Sequence, residues 1–96
     1  MNIPEATGIL SEKIKLLRNL SYSTLLEYQD CKKHESLEIT GMSGVKYYVE
    51  IQSFWDDKPN ENLRVMVEIY DSGIRSLAPL TKTFIISPSG SFCGEP

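Results

Sequence analysis

Val45-Lys46-Tyr47-Tyr48-Val49-Glu50-Ile51-Gln52-Ser53-Phe54-Trp55 and, after a polar stretch at residues 56–62, Leu63-Arg64-Val65-Met66-Val67-Glu68-Ile69-Tyr70 decide how this chain folds. Apolar and polar side chains alternate in both segments, and in a strand successive side chains point to opposite faces. Val45, Tyr47, Val49, Ile51, Ser53 and Trp55 therefore make one row, and Leu63, Val65, Val67 and Ile69 another. One face of the sheet is buried and the other meets water, as in an antiparallel sheet. If Trp55 opposes Leu63 across the polar loop, Ile51 faces Val67 and Val49 faces Ile69. The outward neighbours then pair as Phe54 with Arg64, Gln52 with Met66, Glu50 with Glu68, and Tyr48 with Tyr70.

Upstream, Leu37 and Ile39 alternate with Glu38 and Thr40, and Gly41-Met42-Ser43-Gly44 has turn chemistry. Downstream, Asp71-Ser72-Gly73 signals a hairpin, with Ile74, Ser76, Ala78 and Leu80 as a fourth inward row. With a two-residue turn, Tyr70 faces Arg75, Glu68 faces Leu77, and Met66 faces Pro79. Phe84-Ile85-Ile86 is a short apolar run, residues 87–90 form a turn, and Ser91-Phe92-Cys93 supplies a final edge piece.

The N-terminal third has a different period. Ile3, Ala6, Leu10, Ile14, Leu17 and Leu20 recur at steps of three and four, one face of a helix. Pro4 suits its first turn and Glu5 its positive end, which places the helix over residues 4–19. Residues 21–30 read as a second short helix capped by Ser21, with a strand over residues 22–28 as the competing assignment. The expectation is a single α+β domain over residues 1–96, helical over 4–30 and sheet over 36–94. One N-terminal helix, or two, packs on one face of a four- or five-stranded antiparallel meander.

Composition narrows the functional classes. Ten Lys and Arg stand against thirteen Asp and Glu, a net charge of −3. The acidity is concentrated: residues 35–71 carry eight acidic and three basic side chains, and each flanking segment is slightly basic. Neutralising phosphates needs cations, so this balance argues against nucleic acid and against anionic membrane. Apolar residues make up 41% of the chain, without a run long enough to span a bilayer. The N-terminus lacks a basic region followed by an apolar core, so a cytoplasmic protein with reduced Cys31 and Cys93 is expected. A disulfide between them would require the two ends of the fold to meet.

No catalytic constellation assembles. His34 is the sole histidine, and no Ser or Cys lies in a nucleophile motif. Asp30, Cys31 and His34 cluster in sequence, and Cys93 would have to join them for zinc, so no metal and no cofactor are expected. The acidic loop at 56–62 lacks the glycine and ligand spacing of a calcium loop.

The outward row of the sheet is where function is expected. Tyr48, Phe54, Met66, Tyr70 and Leu77 place large apolar groups where water should be, and aromatics and Met are enriched at interfaces. Glu50 opposes Glu68, an unfavourable pairing unless the charges splay or a cation joins them. Arg75 and Lys46 are placed to supply that cation, while Asp56 and Asp57 extend the acidic rim. These features predict a non-enzymatic protein-interaction domain that binds a protein partner, or a second copy, through this face or an edge strand. One specific form is an immunity- or antitoxin-like protein that blocks a basic toxin. The alternative is a small-molecule binder or minor enzyme with a pocket between helix and sheet near Trp55 and Tyr47.

Overall fold

The computed structural model describes residues 2–29, 35–71 and 79–93. The order of elements is α1 (Ile3–Leu17), α2 (Tyr22–Leu26), β1 (Glu35–Thr40), β2 (Lys46–Trp55), β3 (Leu63–Asp71), β4 (Leu80–Ile86) and β5 (Phe92–Cys93). All neighbouring strands are antiparallel and follow chain order β1-β2-β3-β4-β5, an open meander. Both helices pack on one face of it, which is the α+β architecture the periodicities imply.

The core is the junction of the two patterns. Ala6, Leu10 and Leu17 from α1 and Leu25 from α2 meet Tyr47, Val49, Ile51, Leu63, Val65, Val67, Ile69, Phe84 and Ile86, all buried. Helix α1 lies over β3 and β4, and α2 over β2 and β3. The ends of the α1 stripe overhang the sheet: Ile3 is 51% exposed and Leu20 is 37% exposed.

Helix α1 starts one residue before the expected position because Asn2 caps it, its side chain accepting from the Glu5 N–H at 3.1 Å. It ends at Leu17 rather than 19, where Asn19 and Leu20 donate to the Leu16 and Leu17 carbonyls in tighter turns. Helix α2 is real but shorter than 21–30. Ser21 accepts from the Thr24 N–H at 3.2 Å, and the helix stops at Leu26. Contacts with the end of this helix account for the odd place of Ser53 in an apolar row. It is 2% exposed, and its hydroxyl donates to the Leu25 carbonyl at 3.0 Å. Its N–H donates to the Tyr28 carbonyl at 3.4 Å, and Gln29 forms a parallel bridge to it. Strand β2 thus supplies a second donor to the Leu25 carbonyl, which also accepts from the Tyr28 N–H at 3.2 Å, and a donor to the Tyr28 carbonyl.

The β2–β3 register is the expected one throughout, from Trp55↔Leu63 to Tyr48↔Tyr70. The fourth strand is not. It pairs as Ile69↔Leu80, Glu68↔Thr81, Met66↔Thr83 and Leu63↔Ile86, so the inward row is Leu80, Lys82, Phe84 and Ile86. Neither Leu77 opposite Glu68 nor Pro79 opposite Met66 survives. Proline has no N–H to give a ladder, and the strand begins just after Pro79. The later register also brings Phe84 and Ile86 into the core at 1% and 2% exposure, where the expected row offered Ser76 and Ala78. Burying one large apolar side chain contributes about 1.5–3 kcal/mol, enough to select the register. Arg75 and Leu77 themselves lie outside the described residues, as do Asp30, Cys31 and His34. The expected edge piece is present as β5, with Ile85↔Cys93 and Ile86↔Phe92.

Candidate interaction surface

The face of the sheet turned away from the helices is built by the outward rows of β1, β2, β3 and β4. Three cross-strand rows run over it: Glu38 with Tyr48 and Tyr70; Glu50 with Glu68 and Thr81; Gln52 with Met66 and Thr83. A fourth joins Phe54, Arg64 and Ile85. Six of the seven residues singled out in the sequence, Tyr48, Glu50, Phe54, Met66, Glu68 and Tyr70, therefore share this surface. Leu77 falls outside the described residues. Periodicity alone placed Gln52 and Arg64 here, but Thr81, Thr83 and Ile85 required the corrected register of β4.

The tyrosine end is ordered by direct contacts. Tyr48 and Tyr70 stack with centroids 5.7 Å apart and planes inclined by 29°. The Tyr70 hydroxyl donates to the Glu50 Oε2 diagonally across the pair. That bond, with burial and the nearby charges of Glu50 and Glu68, raises the Tyr70 pKa above its ordinary 10. Glu68 accepts from Gln52 Nε2 at 3.5 Å. Two carboxylates thus stand opposite each other at the centre of the face, with rings to one side and Met66 and Phe54 to the other. Phe54 is 38% exposed, and Tyr48, Glu50, Met66, Glu68 and Tyr70 are half-buried by their neighbours.

Of the two expected cations, Arg75 lies outside the described residues, and Lys46 lies 3.6 Å from Glu38 on the β1 edge. Arg64 donates to Asp56 Oδ1 through Nη2 at 2.7 Å and Nε at 3.1 Å, closing the base of the β2–β3 loop. Asp56 is therefore half-buried in an ion pair, whereas Asp57 is exposed.

The opposite side of the sheet holds a separate polar clamp. Glu5 of α1 accepts from the Ser43 hydroxyl at 2.6 Å, the Tyr47 hydroxyl at 2.7 Å and the Ser43 N–H at 3.0 Å. These bonds, the Ser43 hydroxyl first, hold its carboxyl below the ordinary 4.5. Burial and then Glu5 raise the Tyr47 hydroxyl above 10. Tyr47 is fully buried, and Trp55 packs half-buried against the core. Two shallow hollows lie elsewhere, one lined by α1 and Phe92, the other by Ser21–Ser23 and the 88–90 turn. Among the described residues no group of three or more His, Cys, Asp or Glu could hold a metal ion, and no helix is long and apolar enough to cross a membrane.

Comparison with protein-family models, with curated proteins and with solved structures finds no match to this chain.

Proposed function

We propose that this chain is a non-enzymatic protein-binding module whose outer sheet face receives a partner carrying basic and apolar side chains. The observation that carries the reading is the Glu50–Glu68 pair, flanked by the Tyr48–Tyr70 stack and by Met66 and Phe54, on the face that neither described helix covers. Two carboxylates at the centre of one face concentrate negative potential there and favour a guanidinium or ammonium of the partner. The tyrosine faces add cation–π attraction. Apolar side chains of the partner then cover Met66 and Phe54, the pattern of an aromatic and apolar centre with a charged surround. Capture of a basic toxin by an acidic immunity- or antitoxin-like protein is one biological form of this chemistry. Self-association through the same face is disfavoured, because it would set one acidic row against another.

The test is a titration of the isotope-labelled chain with an extended synthetic peptide of alternating Arg and Leu, followed by NMR. Saturable shifts centred on Tyr48, Met66 and Tyr70 are expected, with little change along α1. Shifts centred on the β1 edge instead would move the proposal to strand pairing, and shifts spread evenly over the surface would overturn it.

A further inference from the structure

The turn between β1 and β2 gathers hydrogen-bond donors around one carboxylate, and that carboxylate comes from another element. The turn is closed by the Gly44 N–H donating to the Gly41 carbonyl at 2.9 Å and the Gly41 N–H donating to the Val45 carbonyl at 2.8 Å. The Ser43 hydroxyl and the Tyr47 hydroxyl donate to Glu5 Oε1 at 2.6 and 2.7 Å, and the Ser43 N–H donates to Oε2 at 3.0 Å. The Met42 N–H is turned to the same group. These donors are neutral, so donor geometry and not an opposite charge specifies the place. Gly41 completes the cradle, since a Cβ there would collide with the Glu5 carboxylate. Ile3 is 51% exposed and Pro4 is exposed, so polar contacts and not apolar burial fasten the first turn of α1. Met42, Ser43 and Gly44 are exposed as well, which leaves the cradle open to solvent on the side of the turn once the Glu5 side chain is removed.

We infer that the β1–β2 turn is a receptor for a small monocarboxylate, with Glu5 as its built-in ligand, and that a free carboxylate takes the same place when the Glu5 side chain is absent. Backbone N–H groups of a single turn can capture a carboxylate without a charged residue. The two oxygens are served by different donors, the hydroxyls on Oε1 and the Ser43 N–H on Oε2, which suits a planar acceptor better than a spherical halide. In the native chain Glu5 arrives pre-positioned by a helix packed through Ala6 and Leu10, an advantage no free ligand matches. The receptor shares no residue with the outer sheet face, and the inference is independent of the reading of that face.

The experiment titrates the Glu5→Ala chain with sodium acetate, following the Met42 and Ser43 amide signals by NMR and Tm in parallel. Acetamide, the neutral isostere, and sodium chloride at matched ionic strength are separate arms. The apolar contacts of α1 remain, so the variant keeps its fold. Saturable shifts are expected, with half-saturation on the order of tens of millimolar, together with partial recovery of the Tm lost with Glu5. The native chain should show no such shifts over the same range, and acetamide should bind roughly tenfold more weakly. Adding Ser43→Ala to Glu5→Ala should weaken acetate several-fold. Absence of saturation with acetate would overturn the receptor. Equal effects of acetamide or of chloride would overturn recognition of a carboxylate. The same shifts in the native chain, or acetate binding unchanged without the Ser43 hydroxyl, would show that the anion does not occupy the place of Glu5.

Discussion

Ser53 and Glu5 show how single polar residues are justified by what they touch. Ser53 interrupts an apolar row because a helix end needs its hydroxyl. Ser53→Ala removes one of the two donors to the Leu25 carbonyl, and chemical denaturation should show a loss of about 0.5–1.5 kcal/mol. Glu5 ties the first turn of α1 to the β1–β2 turn, and Gly41 passes so close that a Cβ there would collide with the Glu5 carboxylate. Gly41→Ala should therefore lower Tm in the native background and lower it less when Glu5 is already alanine. Equal losses in both backgrounds would show that the clamp is not what Gly41 protects. The same carboxylate is held below its ordinary value, so the folded state binds its proton less readily than the unfolded chain does. Its contribution is present above about pH 4.5 and is lost as pH falls through the lowered value. Glu5→Gln should make the acid limb of a Tm–pH profile shallower. Tyr47 and Tyr70 have the reverse sign. Their raised values give stability that is complete below pH 10 and disappears at higher pH.

At the scale of elements, the strands were legible where alternation was long and the turn was polar. Ten residues of β2 and nine of β3 leave one register that buries both apolar rows, because a slip by one residue turns every core side chain outward. The β3–β4 link lacked that constraint. Ser76 and Ala78 gave only a weak row, and the Asp-Ser-Gly turn signal favoured an early return of the chain. Total apolar burial selected the later strand, through Phe84 and Ile86. Phe84→Ala should accordingly cost about 3–5 kcal/mol, the range for an aromatic removed from a packed core. A cost under 1 kcal/mol would contradict the register of β4. Helix α2 was legible from Ser21 but not its end, where the chain turns to meet Ser53, far along the sequence. Six of the seven candidate surface residues could be read from β2 and β3 alone. The contribution of Ile85 to that face depended on the β4 register.

Across the whole molecule, charge is divided between surfaces: carboxylates at the centre of the open sheet face, cations at the far end of α1. The acidic row should keep the chain from pairing through that face, so light scattering at moderate salt should return a monomer. Glu68→Gln removes one of the two central carboxylates and keeps an acceptor for Gln52, so it should lower affinity for a basic partner while leaving Tm nearly unchanged. A fall in Tm with unchanged affinity would show that Glu68 serves the fold alone. The central claim is that the Glu50–Glu68 face selects a basic partner, and calorimetry tests it most directly. The alternating Arg and Leu peptide is titrated into the native chain and into the Glu50→Lys, Glu68→Lys double variant, at low and at moderate salt. The proposal predicts salt-sensitive binding to the native chain and at least tenfold weaker binding to the variant, with Tm nearly unchanged. Equal affinity for the two proteins at both salt concentrations would contradict it.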